Sequence, residues 1–328
     1  MTLTPATAMT RTAAVAGAAL MLSIGATAAH AGDNGPLVYS AIDPGSHTVQ
    51  VFRIGAGGGG LRQLSQADSQ GQWNECPSVS PSGQAVYYDT LDRNQPGPSA
   101  IWKMTIDGDN AKAVSHTNKS VACPSVSPDG KMIAYLQYSK KSQYAQIGVM
   151  KKNGTEAKTL LAKDNVSYYS PQYSPDGTML SVIKVTYTSQ GMDKSSDVIT
   201  VDLATGKQKN LTKNLNGMFD GNGWDPNGKG LVTVRDDRKL LRIFTNGSQP
   251  GKLVRVQSGE SIASPVYAPT RSRIAYLVCD GDCGDPMLPG EGSIWTVKKN
   301  GTSAKNVFTG SPSTNVPADA LFWAAKAK

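Results

Sequence analysis

Charge, aromatic rings and histidine are all scarce in this chain of 328 residues: 18% of residues are charged, 7% are aromatic and three are histidine. Beyond residue 31 no apolar run is long enough to cross a bilayer, so no later segment reads as a membrane span. The usual signatures of catalysis are missing as well. There is no Gly-x-Ser-x-Gly elbow, no His-Glu-x-x-His pair and no phosphate-cradling glycine loop. Gly57-Gly58-Gly59-Gly60 is followed by no Lys-Ser/Thr and reads as a hairpin. His47 and His116 lie far apart in sequence, and no catalytic residue is assigned. The net charge is +8, yet the bases are diffuse: Lys151, Lys152, Lys298 and Lys299 recur around turns with no aromatic interleaving. That pattern excludes nucleic acid as a partner and leaves attraction to an anionic cell-surface polymer as the functional alternative to plain solvation. What the chain has in quantity is Gly (34) and Pro (19). So many turn formers exclude a coiled coil or helical bundle and point to an all-β fold. A hydrophobic content of 39% is too high for a disordered chain.

Residues 1–31 read as a signal peptide. Arg11 precedes an uncharged run from Ala13 to Ala29, and Ala29-His30-Ala31 forms a small-x-small cleavage site before Gly32. Met9 serves equally well as the start. Residues 32–328 are then one domain, exported to a periplasm or outside the cell, with no membrane span after cleavage. Export gives the four cysteines a meaning: Cys76, Cys123, Cys279 and Cys283 are an even set in an oxidising compartment, which suggests disulfides. Four cysteines allow three connectivities, and a zinc site without paired CxxC spacing is the weaker competitor.

An internal repeat sets the architecture. Ser80-Pro81-Ser82-Gly83, Ser127-Pro128-Asp129-Gly130 and Ser174-Pro175-Asp176-Gly177 are followed by degenerate copies, Asp225-Pro226-Asn227-Gly228 and Ala268-Pro269-Thr270-Arg271. Successive prolines are 47, 47, 51 and 43 residues apart, the period of a four-stranded propeller blade. Two residues before each proline stands a bulky apolar residue: Val79, Val126, Tyr173, Trp224 or Tyr267. After each turn runs a β-rich second strand, such as Ala85–Tyr88 or Met132–Tyr135. A third strand follows, such as Ile147–Val149, and ends at a tight-turn signal (Asp107-Gly108, Asn153-Gly154, Thr205-Gly206, Asn246-Gly247, Asn300-Gly301). A fourth, outer strand closes the unit, as at Thr159–Leu161 and Asn210–Thr212. Five units are complete. Leu37–Tyr39, Val51-Phe52 and Leu61–Leu64 supply three strands of a sixth, and Leu321–Ala324 supplies the missing first strand. The expected fold is therefore a six-bladed β-propeller closed by the C-terminal strand pairing with the N-terminal blade, which removes exposed sheet edges.

The unit Ser-Pro-Asp-Gly…Ile-Ala-Tyr…Ile-Trp…Asn-Gly…Leu resembles the WD-like repeats of TolB-type propellers, and related repeats occur in the propellers of prolyl-oligopeptidase-type peptidases. The resemblance covers essentially the whole chain after the leader. It implies the fold, and as function a protein- or peptide-binding scaffold in the cell envelope or secretome. Gly32 to Pro36 leaves no room for the TolB N-terminal domain, and no hydrolase domain accompanies the repeats. The alternative function is a carbohydrate-active enzyme, lyase or hydrolase, with its site at the axial mouth.

Propeller connectivity sorts candidate residues by face. The Ser-Pro-Asp-Gly and Asn-Gly turns share a short, structural rim. Loops joining second to third strands share the other rim with the connections between blades: Asp89–Ala100, Tyr138–Ala145, Thr186–Asp197 and Cys279–Ser293. Loops held on a rigid scaffold tend to carry function. The connections entering the first strands offer Trp73, Asn74 and Glu75, Tyr168 and Tyr169, Phe219, Asp220 and Asn222, then Glu260 and Ser261. Aromatic anchors beside a few polar groups suit recognition of a peptide or polymer. Glu75 and Asp220 are the expected pair for a cation or basic group. Cys76 and Cys123 occupy equivalent repeat positions, so a bridge between adjacent blades is expected, with Cys279–Cys283 stapling a loop. Asp280, Asp282 and Asp285, with Glu291 beyond, form a weak Ca²⁺ candidate lacking EF-hand spacing. No other cofactor is expected, and the protein is expected to be a monomer.

Overall fold

The structure, a computed structural model, describes residues 34–69, 71–94, 97–139, 142–281, 283, 292–310 and 316–326. The leader lies outside the described residues. Among them are twenty-four strands and no helix, arranged as six four-stranded antiparallel sheets. Within five blades the strands follow one another in sequence order. The remaining blade is composite, in the order Val316–Ala325, Asn34–Asp43, Thr48–Ile54, Arg62–Gln63. The expected closure is thus observed, with Trp323 opposite Leu37 as Trp224 is opposite Leu231. The first strands of successive blades touch one another around a single axis, and Val316–Ala325 completes that ring between Glu260–Tyr267 and Gln72–Val79. We number the composite blade as the first.

Each blade is packed on both faces, so its inner strands carry continuous apolar runs rather than an alternation. Val166–Tyr173 is buried at every position. Between blades lie the largest buried side chains, among them Trp224, Tyr39, Tyr135, Tyr276 and Phe219. The repeat punctuation has a specific use. In the Ser-Pro turns the serine hydroxyl accepts the amide five residues on: Ala85 to Ser80 (3.0 Å), Met132 to Ser127 (2.9 Å) and Met179 to Ser174 (2.9 Å). Gly154, at φ +85°, lies so close to the Val114 carbonyl of the second blade that any β-carbon would overlap it. Glycine there lets adjacent blades meet.

Two features differ from the sequence reading. Asn210–Thr212 is strand only at its first residue, the strand being Gln208–Asn210. Beyond it a side chain replaces the ladder: the Thr212 hydroxyl accepts the Val198 amide at 3.1 Å. Ser65 and Ser115 do the same for Val51 and Ile101 (both 2.9 Å). The second is a bulge in five first strands, at Cys76, Cys123, Ser170, Gly221 and Ser264. There the register shifts and φ lies between +47° and +56°. The extra residue bends each strand close to the axis.

Candidate binding face

The second and third strands extend further toward the elaborated face than expected. Tyr138–Ala145 falls largely within the hairpin Met132–Ser139 and Ser142–Lys151, and Thr186–Asp197 reduces to a turn of residues 188–192. Extending the ladder satisfies backbone groups that a loop would leave to solvent.

The residues expected in the connections at the mouth lie inside the first strands. Trp73, Asn74, Glu75, Tyr168, Tyr169, Phe219, Asn222 and Ser261 are buried; Asp220 and Glu260 are half-buried. Asn74 donates to Gln50 Oε1 (2.9 Å) and accepts from the Thr90 hydroxyl (2.8 Å). Asn222 donates to the Ser170 carbonyl (2.9 Å) and accepts from the Ser181 hydroxyl. Phe219 packs in the core between blades, and its carbonyl accepts from Ser196. Glu75 stands on the first strand of the second blade and Asp220 on that of the fifth. Of the Ca²⁺ candidates, Asp280 is exposed, while Asp282, Asp285 and Glu291 lie outside the described residues.

What meets Glu75 is Asp89, directly opposite it across the first and second strands of the second blade. Both side chains are buried, and burial raises both carboxyl groups above the ordinary range. For Asp89 the neighbouring Glu75 charge adds to the rise. Arg93, 3.9 Å from Glu75 Oε1, opposes the rise at Glu75, and its guanidinium stacks 3.5 Å from the Trp73 ring centre. Asp89 Oδ1 accepts the Cys123 amide at 2.8 Å, an interaction across blades. The same junction carries the Cys76–Cys123 disulfide, with Cα atoms 4.8 Å apart; Cys279–Cys283 spans 5.1 Å. Both separations meet the geometric requirement. Cys76, Asp89 and Cys123 are also the one group of three metal-capable side chains among the described residues. With both sulfurs tied in a bridge they are not a metal site, and the four-thiolate zinc alternative falls for the same reason.

Beside this pair lies a tyrosine cluster that the sequence reading did not assemble. Tyr138 feels Asp89 and Glu75, and burial of its hydroxyl end together with those charges pushes its pKa up to about 12. Tyr169 and Tyr187 hydroxyls are 3.3 Å apart, and the Tyr187 ring sits 5.5 Å from that of Tyr144. Among the described residues four large apolar side chains are exposed: Leu61, Tyr138 (41%), Met192 (63%) and Met218 (38%). The last three stand on the elaborated face, on the third, fourth and fifth blades in turn. In the sequence only their place near second-to-third loops or blade connections could have marked them.

No family model matches the chain, and no curated relative matches it. Solved structures do. TolB from Acinetobacter baumannii is similar over 89% of this chain and 67% of its own, with TM-score 0.68 and 17% identity. A chain of the nidogen/laminin complex is similar over 90% of this chain and all of its own, with TM-score 0.63 and 12% identity. Oligogalacturonate lyase in complex with manganese follows, over 87% and 74%, with TM-score 0.52 and 14% identity. At such identities the likeness defines the fold alone. The molecule has a TolB-like six-bladed propeller fold.

Proposed function

We propose that this is an exported propeller that binds a protein or peptide segment across the elaborated face of its third to fifth blades. The supporting observation is the line of exposed Tyr138, Met192 and Met218 on three successive blades, backed by half-buried Tyr144 and Tyr187. Methionine and tyrosine adapt to a partner surface at low desolvation cost. A partner that offers apolar side chains fits such a line. Export follows from the leader and agrees with two disulfides, and a monomer is the expected state. Among the described residues no helix is long and apolar enough to cross a membrane. The similar chain from the nidogen/laminin complex supports partner binding as a use of the fold.

The test is affinity capture from envelope and culture-fluid extracts with the parent and with Tyr138→Glu/Met192→Glu/Met218→Glu. Met192 and Met218 are exposed, so Met192→Glu/Met218→Glu keeps its fold and serves as a second variant that leaves the buried hydroxyl end of Tyr138 in place. A partner held by the parent and lost by the variants is expected; identical captured sets overturn the assignment of this face.

A second reading, a carbohydrate-active enzyme, is favoured by the raised Glu75–Asp89 pair, because a general acid must hold its proton near neutral pH. The similar oligogalacturonate lyase structure supports it at the level of the fold. Turnover of a glycan by the parent that Glu75→Gln abolishes would favour this reading over the first.

A further inference from the structure

Three blades carry a base at one equivalent position of the third strand: Arg53 opposite Val38, Lys103 opposite Tyr87 and Arg242 opposite Val232. Two are neutralised. Arg53 reaches into the tight turn of the following blade, to Asp107 Oδ1 at 2.7 Å and the Ile106 carbonyl at 3.3 Å. Arg242 lies 3.2 Å from Asp225. Lys103 faces the corresponding turn of the third blade, where Lys152 and Asn153 replace Ile106 and Asp107. The match of positions rests on paired backbone bonds: the Ile106 amide to the Gln84 carbonyl (2.9 Å) and the Lys152 amide to the Lys131 carbonyl (2.8 Å). The place of the neutralising carboxylate is therefore taken by an amide, with a second cation beside it.

Lys103 is half-buried over the face of Tyr87, 5.5 Å from the ring centre. It lines a cleft of about 630 Å³ between the second and third blades together with Lys112 and Lys152. One carboxylate, Asp129, shares the lining. That group is occupied within its own turn, accepting the Ser127 hydroxyl (2.6 Å) and the Lys131 amide (3.0 Å), with Lys131 Nζ at 3.7 Å. The remaining walls combine Pro81 and Pro128 with hydroxyl and amide groups. This volume falls in the range of small-molecule sites.

We propose that this cleft, on the rim opposite the partner-binding face, binds an anionic oligosaccharide. The lysines take its carboxylate or phosphate groups, the serine, threonine, asparagine and glutamine groups take its hydroxyls, and the prolines meet the flat C–H faces of the rings. Lysine acts here as a point charge, indifferent to which oxyanion it meets.

Calorimetry at low salt with tri-galacturonate and with a phosphorylated maltotriose separates the carboxylate and phosphate sources. Maltotriose and tri-glutamate serve as neutral and peptide controls. At least one anionic saccharide is expected to bind, to weaken at least about tenfold in Lys103→Gln/Lys152→Gln, and to weaken steadily with added salt. Lys152 is exposed, so Lys152→Gln alone keeps the fold and is expected to weaken binding several-fold. The face variant Tyr138→Glu/Met192→Glu/Met218→Glu is expected to bind like the parent. Absence of binding by both anionic saccharides, equal binding by the lysine variants, or equal binding of maltotriose or tri-glutamate overturns the proposal. Any of these leaves the partner-binding reading untouched, because the two sites lie on opposite rims.

Discussion

Arg271→Gly sets two opposed effects against each other, and the structure says which prevails. Arg271 stands where other copies of the turn have glycine, at φ +61°, so glycine would relieve about 1 kcal/mol of left-handed strain. The same arginine holds Asp225 of the fifth blade by two bonds, 2.5 Å and 3.0 Å, and that carboxylate is 1% exposed. Removing the whole partner of a buried charge costs about 3–5 kcal/mol. Arg242 remains at 3.2 Å, so about 2–3 kcal/mol is the appropriate loss here. The net expectation is a destabilisation of about 1–2 kcal/mol. Asp225→Ser is expected to cost a similar ~1–2 kcal/mol, since it leaves two arginines facing one another and the strain at Arg271 in place. Asp225→Ser gives the fifth-blade turn a serine hydroxyl that accepts the amide five residues on, as Ser80, Ser127 and Ser174 do, and Arg271→Gly gives the sixth-blade turn the glycine of the regular copies. Arg242 can then turn to water from its stack on Phe244. The double variant should lose no more than about 1 kcal/mol, giving a coupling of roughly 2 kcal/mol in a urea-unfolding double-mutant cycle. Simple additivity of the two single effects would refute the view that the two degenerate copies compensate one another.

Replacing Cys76 and Cys123 together by Ala opens a closure of 47 residues, which by chain entropy should cost about 4 kcal/mol. The same change at Cys279 and Cys283, four residues apart, should cost about 2 kcal/mol. Urea midpoints of the two variants check the ranking, and equal losses would argue against it. Glu75 and Asp89 have folded-state pKa values raised above their unfolded ones, so between those values the native state holds more protons than the unfolded chain. Stability from this pair is therefore greatest in mild acid and falls as pH rises through the raised values. Among the described residues Arg93 and Tyr138 are the other titratable groups that act on the pair. Melting temperature is expected to drop between pH 5 and pH 8, and Glu75→Gln should flatten that drop. An unchanged slope would place the dominant titration elsewhere.

The fold was legible because its punctuation is local chemistry. A glycine at φ near +70° must be written in the sequence, and so must a serine that accepts an amide five residues ahead. The orphan strand Leu321–Ala324 could be matched to Asn34–Asp43 for the same reason, through Trp323 in a repeat position. The candidate site was less legible, because its members are set by relations between blades. Cys76, Cys123, Ser170 and Ser264 each precede proline, which biases a residue toward extended backbone, yet each has positive φ in a bulge. Those bulges carry Trp73, Asn74 and Glu75 into the ring of first strands, where the sequence suggested a connection at the mouth. Asp89 could not be paired with Glu75 without the register, nor Tyr138 with either.

Repeat position then becomes a tool for function rather than for fold alone. Residues that keep the pattern are explained by the pattern, so a departure calls for its own cause. Asp225 and Arg271 depart together and satisfy each other across adjacent blades. Arg53 departs and finds Asp107. Lys103 departs in the same way, but its equivalent carboxylate is missing and Lys152 stands beside the vacant place. A half-buried cation with no carboxylate partner costs stability unless something outside the chain supplies the counter-charge. The first two departures are closed within the fold, whereas the third is open to a ligand, and it coincides with a cleft of about 630 Å³ between two blades.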